Sequence, residues 1–305
     1  MGPTGVGKTA VAVALAREWP LEAVSVDSRQ VYRRMDIGTG KPTPGERRLL
    51  PHHLIDVVEP DEPYDAARFA QDATAAIADI HARRRRAVLV GGTGLYLRAL
   101  LHGLSPLPPA DLALRRRLRA EAATEGPAAL HTRLAGLDPT TAARLHPRDL
   151  VRITRALEVV LLTGQPLSTL RGARRRMAPS PYRALTIGLT MPRAALYARL
   201  DARVDRMVAG GLLGEVEGLL AAGRAPELPA MQGIGYRHLV PVVTRGAPLD
   251  EAVRTMKRDT RGYAKRQWTW FGRDEGARWV VVDPEDPGSA TVEVKKLIEI
   301  AGIFG

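Results

Sequence analysis

The first eight residues after Met1 constrain the fold more than any other part of the chain. Gly2 to Thr9 read GPTGVGKT, a complete G-x-x-x-x-G-K-T phosphate-binding loop. Its glycines allow the backbone N–H groups to point inward at anionic oxygens, Lys8 adds a positive charge, and the Thr9 hydroxyl can reach Mg²⁺. A helix is predicted over Ala10–Trp19. One substrate is therefore expected to carry a diphosphate or a triphosphate.

A phosphate-binding loop normally follows a buried β-strand. Here only Met1 precedes Gly2. We expect that strand to lie upstream of Met1 rather than to be absent, because an unsupported loop would be poorly preorganised.

Composition narrows the class of protein. The 305 residues contain no cysteine, which excludes disulfides and thiolate metal sites. They contain no asparagine, which excludes the guanine-reading motif of G proteins and the asparagine of a protein-kinase catalytic loop. No membrane-length apolar run and no signal peptide occur, so a cytoplasmic protein is expected.

The formal net charge of +12 favours a polyanionic partner only slightly. An arginine-rich genome would raise the charge of every surface in the same way.

Short apolar segments alternate with helical ones, which indicates a parallel α/β core. The predicted strands are Ala23–Val26, His53–Val57, Ala87–Val90, Leu185–Leu189 and Trp279–Val282. The predicted fold is a P-loop NTPase-like parallel sheet with an inserted all-helical domain and a helical C-terminal part. The expected divisions are a core over residues 1–108, the insertion over 109–178, and the remaining strands and helices over 179–305.

Three segments are candidates for chemistry, and two of them lie at strand ends. Asp27 ends the first strand and is either a holder of Mg²⁺ or a general base at the carboxyl edge of the sheet. The Gly-rich loop Met35–Pro42 carries Lys41 and has no certain function, since a structural turn explains its glycines. Gly91–Tyr96 (GGTGLY) follows a strand that lacks the acidic residue common in ATPases, which is mild evidence against ATP hydrolysis.

Two basic segments have competing interpretations. Arg199, Arg203 and Arg206 share one face of a helix predicted over Arg193–Ala209, which usually indicates a solvated face. Arg254–Arg273 interleaves basic and aromatic residues. This pattern suits either nucleic acid or an amphipathic helix with a buried aromatic side.

Several segments together resemble the tRNA dimethylallyltransferase (IPP transferase) family, in the family's order and over nearly the whole chain. The matching segments are Gly2–Thr9, Val24–Pro42 (VSVDSRQVYRRMDIGTGKP), His53–Asp56 (HLID), Gly91–Tyr96, Arg152–Val159 (RITRALEV), Gln232–Arg237 (QGIGYR) and Thr260–Phe271 (TRGYAKRQWTWF).

The resemblance implies transfer of a dimethylallyl group from dimethylallyl diphosphate to the exocyclic amine of the adenosine beside the tRNA anticodon. It assigns the diphosphate to Gly2, Pro3, Thr4, Gly5, Val6, Gly7, Lys8 and Thr9. It makes Asp27, Thr9 and Arg203 catalytic, with Asp27 accepting the proton of the amine and Thr9 holding Mg²⁺. The chain is expected to act as a monomer.

The resemblance also assigns residues to tRNA binding, with the inserted helices gripping the anticodon stem-loop. These residues are Asp27, Ser28, Arg29, Gln30, Thr93, Arg115, Val151, Arg152, Ile153, Thr154, Arg155, Gln232, Gly233, Ile234, Gly235, Tyr236 and Arg237. Two rival hypotheses are an ATP-dependent small-molecule kinase with the same loop and a non-catalytic RNA-binding protein with a relic loop.

Overall fold

A computed structural model describes residues 1–172 and 180–303. It separates into two compact units. The core unit comprises Met1–Leu101 with Ser180–Gly305, and the helical unit comprises His102–Pro179. The sequence over residues 171–181, rich in arginine and proline, suggests a loop that returns the chain to the sheet, and most of it lies outside the described residues.

The core unit is built on parallel strands. Within the described residues these strands are β1 (Leu21–Val26), β2 (His52–His53), β3 (Arg86–Gly91), β4 (Ile187–Thr190) and β5 (Arg278–Val281). β1 lies between β2 and β3 and is parallel to both, and β4 pairs in parallel with β5. The parallel α/β fold class is confirmed.

The strand expected over His53–Val57 forms only at His52–His53, so that prediction was wrong in length. Leu54 and Asp56 have φ angles of 62° and 59°, in the left-handed region that a strand does not use. The chain beyond them returns to the segment after β1, where the Val57 N–H donates to the Val31 carbonyl oxygen at 2.9 Å.

Met1 occupies a strand-like position beside β4. Its nitrogen donates to the Ile187 carbonyl oxygen at 2.7 Å, and its carbonyl oxygen accepts from the Leu189 N–H at 2.8 Å. An apolar cavity of about 490 Å³ lies beside Met1 and is lined by residues of β3 and β4 such as Val88 and Ile187. The phosphate loop is therefore joined to β4 through one residue.

Helices cover the strands of the core unit. They are α1 (Lys8–Leu15), α2 (Pro44–Leu49), α3 (Ala66–Ala82), α4 (Gly94–His102) and, after the helical unit, α10 (Arg193–Ala209), α11 (Leu212–Ala221), α12 (Tyr236–Arg245), α13 (Leu249–Phe271) and α14 (Ser289–Ala301). The helix predicted over Ala10–Trp19 begins two residues earlier and ends at Leu15. Val11, Leu15 and Leu196 belong to one buried cluster that also contains Val280 of β5.

The helical unit contains α5 (Leu112–Glu125), α6 (Pro127–Leu137), α7 (Pro139–Ala142), α8 (Leu150–Thr163) and α9 (Leu167–Gly172). Leu118, Leu134 and Leu157 are fully buried between its helices. The buried carboxylate of Asp138 caps α7 by accepting from the Thr141 N–H at 3.0 Å, and it also accepts from the Ser168 N–H at 2.9 Å. Gly126 separates α5 from α6, and Asp138 separates α6 from α7.

In the described part of the chain, no helix is both long enough and apolar enough to span a bilayer.

Candidate active site

The phosphate loop has the backbone geometry that its glycines allow. Gly2, Gly5 and Gly7 have φ angles of 143°, 79° and 106°, which side-chain-bearing residues rarely adopt. A Cβ on Gly2 would lie 2.4 Å from the Leu189 carbonyl oxygen. α1 begins directly after the loop, and Gly7 supplies no side-chain cap. The first N–H groups of α1 are therefore left for an anion, in the favourable field of the helix dipole.

Lys8 folds back over its own loop. Its ammonium donates to the Gly2 and Pro3 carbonyl oxygens at 3.0 and 2.8 Å. Burial lowers the pKa of Lys8 to about 8, while the charge of Asp27 raises it and that of Arg203 lowers it. The loop thus holds a cation in a site where burial penalises its charge, and a phosphate would relieve that penalty.

Asp27 follows β1 and opens a turn. Its Oδ1 accepts from the Arg29 N–H at 2.8 Å and from the Gln30 N–H at 3.3 Å. The Ser28 N–H donates to the Thr93 hydroxyl at 3.1 Å, which ties this turn to the one after β3. One carboxylate oxygen therefore fixes the turn, and neither bond uses Oδ2, which is left for a ligand.

The loop Met35–Pro42 forms one wall of the site. Lys41 is only 3% exposed and pairs with Asp36 at 2.6 Å and with Asp56 at 2.5 Å. Its ammonium also donates to the Tyr32 carbonyl oxygen at 2.7 Å. Lys41 is therefore an internal tie of the loop, which agrees with a structural role for this segment.

Glu215 of α11 anchors the same loop and was not singled out from the sequence. Its carboxylate accepts from the N–H groups of Asp36, Ile37 and Gly38 at 2.8, 2.7 and 3.1 Å. It also accepts from the Tyr236 hydroxyl at 2.6 Å. No local motif marks this glutamate, because its partners lie far away along the chain.

The Arg203 side chain of α10 packs against Gly40 of that loop. Gly40 has a φ angle of 57°, and a Cβ there would lie 1.9 Å from an Arg203 guanidinium nitrogen and displace it. Burial lowers the pKa of Arg203, Asp27 raises it, and Arg206 and Arg199 lower it. Among the described residues, no carboxylate lies within ion-pair distance of Arg203. The nearby carboxylate of Asp201, on the same helix, pairs with Arg261 instead.

The predicted catalytic residues line one cavity of about 1240 Å³. Lys8, Thr9, Asp27 and Arg203 all line it. It is larger than the 300–1,000 Å³ usual for one small ligand. Four further arginines line the cavity: Arg47, Arg48, Arg199 and Arg206. The sequence predicted no role for Arg47 and Arg48, and it indicated only a solvated face for Arg199 and Arg206.

The basic and aromatic segment over residues 254–273 is the amphipathic helix α13. It buries Ala264, Gln267 and Phe271, and the Trp268 Nε1 donates to the Thr190 hydroxyl at 3.0 Å. A Cβ on Gly94 would lie 2.0 Å from the Trp270 Nε1. The glycines after β3 therefore allow that turn to pack closely against α13.

Several residues assigned to tRNA in the core unit have internal partners. Arg29 donates to the Pro229 carbonyl oxygen at 2.5 Å, and the Gln30 amide donates to the Gly40 carbonyl oxygen at 3.2 Å. Arg237 pairs with Asp259 at 2.7 Å, and Gln232 donates to the Pro226 carbonyl oxygen at 2.8 Å. Tyr236 is 1% exposed, so its side chain supports the Met35–Pro42 loop and does not form surface.

In the helical unit, the residues assigned to tRNA divide by exposure. Val151 is exposed and the Arg152 side chain is largely so, whereas Ile153 and Thr154 are buried. Arg115 and Arg155 both bind the fully buried carboxylate of Glu158 on α8. Their guanidinium groups are thus fixed in direction while about a quarter of each side chain stays exposed.

Thr9 lines the cavity, and its hydroxyl is the side-chain oxygen of the loop suited to a metal. No group of three or more His, Cys, Asp or Glu side chains suited to a metal occurs among residues 1–172 and 180–303. Mg²⁺ commonly keeps several waters and binds through one or two protein oxygens together with substrate phosphates. The donor set fits a Mg²⁺ ion that arrives with a diphosphate.

These features define a P-loop-like α/β protein in which a glycine-rich loop suited to an anion, a carboxylate and an arginine with no ion pair among the described residues line one cavity. The IPP transferase family model matches residues 30–274, and the chain belongs to that family.

Individual relatives agree over nearly the full length. The chain is 53% identical over 279 residues to the tRNA dimethylallyltransferase of Geobacter metallireducens, covering 92% of this chain and 90% of the relative. The crystal structure of the full-length tRNA isopentenylpyrophosphate transferase from Bacillus halodurans has a TM-score of 0.71 at 40% identity, covering 98% of this chain and 94% of that one. A eukaryotic dimethylallyltransferase acting on tRNA has a TM-score of 0.79 at 28% identity, covering 99% and 77%.

Proposed function

We propose that this protein transfers a dimethylallyl group from dimethylallyl diphosphate to the exocyclic amine of the adenosine next to the tRNA anticodon, releasing diphosphate. The observation that carries the proposal is the meeting of Lys8, Asp27 and Arg203 in one cavity. The names of the relatives, which are tRNA dimethylallyltransferases, support the same reaction.

The phosphate loop binds the leaving group. Negative charge grows on the diphosphate as the C–O bond of the donor breaks, and the N–H groups at the start of α1 are already oriented for it. When the diphosphate binds, the Lys8 ammonium donates hydrogen bonds to it, either in place of those to the Gly2 and Pro3 carbonyl oxygens or in addition to them. Arg203 adds a second cation, whose charge no carboxylate of the described residues neutralises.

Asp27 accepts the proton. The adenine amine is a weak nucleophile because its lone pair is delocalised into the ring. As its nitrogen forms a bond to the terminal methylene carbon of the donor, one N–H proton passes to the Asp27 carboxylate and the C–O electron pair leaves with the diphosphate. The Arg29 and Gln30 N–H groups hold Oδ1, and Oδ2 is the oxygen proposed to take the proton from the amine.

Mg²⁺ is the proposed cofactor, held by Thr9 and the diphosphate oxygens. It would neutralise charge on the departing diphosphate.

A tRNA anticodon stem-loop is the proposed acceptor. The adenosine must leave its stack to reach a cavity, as in other enzymes that modify bases. Arg115, Val151 and Arg152 of the helical unit, with Arg29 and Arg237 of the core unit, are proposed to contact the RNA. The chain is proposed to act as a monomer.

The donor distinguishes this function from a kinase. Purified protein is incubated with unmodified tRNA, Mg²⁺ and either dimethylallyl diphosphate or ATP, and the tRNA nucleosides are analysed by mass spectrometry. We expect dimethylallyladenosine with the first donor and no phosphorylated product with the second. Transfer of phosphate from ATP to a small molecule, with no modified nucleoside, would contradict the proposal.

A further inference from the structure

A buried glutamine lies behind the phosphate loop. Gln267 of α13 is 5% exposed. Its side-chain Oε1 accepts from the Thr4 N–H at 2.7 Å, and its Nε2 donates to the Gly92 carbonyl oxygen at 2.9 Å. One amide therefore joins the phosphate loop to the turn that follows β3.

The two partners require an amide. The Thr4 N–H can only donate and the Gly92 carbonyl can only accept, so the side chain between them must offer one acceptor and one donor. A Cβ on Gly92 would lie 2.2 Å from Nε2 and would displace the Gln267 amide from this position, so the glycine favours the close approach. The contact between Gln267 and the two turns therefore depends on the amide at residue 267 and on the glycine at residue 92.

Gln267 binds the first half of the loop. Pro3 has no N–H, and the Thr4 N–H is used by Gln267. Lys8 holds the Gly2 and Pro3 carbonyl oxygens of that same half. Gly5 and Gly7 follow with positive φ angles that glycine adopts readily, and after them comes the start of α1, which has no side-chain cap.

We infer that Gln267 is a positioning residue for the diphosphate. By fixing Thr4 it sets the direction in which the Gly5–Thr9 segment presents its N–H groups, without contacting the anion itself. Preorganised donors stabilise charge better than donors that must reorient when the ligand binds. The inference rests on the proposed function for its ligand, which is the diphosphate group.

Two substitutions test it. Gln267→Met keeps the length of the side chain and removes both hydrogen bonds. Gln267→Glu keeps an acceptor for Thr4 but places a carboxylate oxygen against the Gly92 carbonyl and adds negative charge behind the loop. Gln71→Glu makes the same charge change at an exposed position of α3 and is the matched control.

The primary measurement is the affinity for inorganic diphosphate with Mg²⁺ by titration calorimetry, on protein whose folding is checked by circular dichroism and thermal melting. We expect about tenfold weaker binding for Gln267→Met and a larger loss for Gln267→Glu, because a buried donor and acceptor lose their partners. Gln71→Glu should bind as the parent does. In steady state, the KM for the prenyl donor should rise while the KM for tRNA stays unchanged.

The outcomes separate this inference from the proposed function. Parent protein that binds no diphosphate would contradict the proposed function. Parent protein that binds it, with both folded variants binding equally well, would overturn the role of Gln267 and leave only a structural one. If Gln267→Met does not fold, Gln267→Glu decides alone, since it retains the bond to Thr4.

Discussion

Asp27 and Arg203 line the same cavity but are expected to act on different substrates. Asp27 belongs to the turn after β1 and is proposed to serve the adenine amine. Arg203 belongs to α10 and is proposed to serve the diphosphate. Substitutions at the two positions should therefore change different kinetic constants.

Asp27→Asn isolates the proton acceptor. The amide oxygen can still accept from the Arg29 and Gln30 N–H groups, so the turn is retained while the base is lost. We expect kcat to fall by about 10² or more with little change in tRNA affinity, measured by single-turnover kinetics and filter binding. Asp250→Asn, at an exposed position of α13, is the control. Near-parental turnover in Asp27→Asn would remove Asp27 from the mechanism.

Arg203→Met isolates the second cation. A charge-assisted hydrogen bond contributes about 1.5–3 kcal/mol, so kcat/KM for the donor should fall roughly 10- to 100-fold. The KM for tRNA should change little. Arg193→Met on the same helix, where the guanidinium stacks on Tyr197, is the matched control. Unchanged donor kinetics would contradict a role for Arg203 in binding the diphosphate.

Contiguous motifs made these residues predictable. The loop, Asp27 and the family's RNA segments are each specified by neighbours in sequence. Glu215 and Gln267 were not predictable as supports, because their backbone partners lie up to 179 and 263 residues away. The early end of β2 could not be predicted either. The backbone at residue 54 is left-handed, but the residue is leucine and not the glycine that usually marks this conformation.

α8 is stabilised by a buried carboxylate that binds two arginines. Glu158 accepts from Arg115 Nε at 2.9 Å, from Arg155 and from the Asp111 N–H at 2.7 Å. Burial alone would raise the pKa of Glu158, but these hydrogen bonds outweigh it and hold the pKa below its ordinary value of 4.5. Its contribution to stability is therefore complete above pH 4.5 and is lost as the pH falls through the lowered pKa.

Glu158→Gln should destabilise the helical unit at neutral pH by about 2 kcal/mol or more, because both arginines lose their charged partner. The difference from the parent should shrink as the pH falls below 4.5. Hydrogen exchange of peptides from α5 and α8, followed by mass spectrometry, measures this locally. A difference that grows at low pH would contradict the assignment.

Net charge is the property of the entire chain that bears on RNA. At +12, tRNA binding should weaken steeply with salt as counterions are released. Even three phosphate contacts imply roughly a tenfold or greater rise in Kd between 50 and 200 mM salt, measured by filter binding. Arg152→Gln, at an exposed position of α8, should lower the slope of log Kd against log salt by about one. A flat response in the parent would contradict a phosphate-based interface.

The most direct measurement is a crystal structure with an anticodon stem-loop, Mg²⁺ and a donor analogue whose bridging oxygen is replaced by sulfur. We predict the diphosphate within about 3 Å of the N–H groups that begin α1, and the Asp27 carboxylate within about 3 Å of the exocyclic amine of an unstacked adenine. A diphosphate bound elsewhere, or an adenine whose amine lies away from Asp27, would contradict the account.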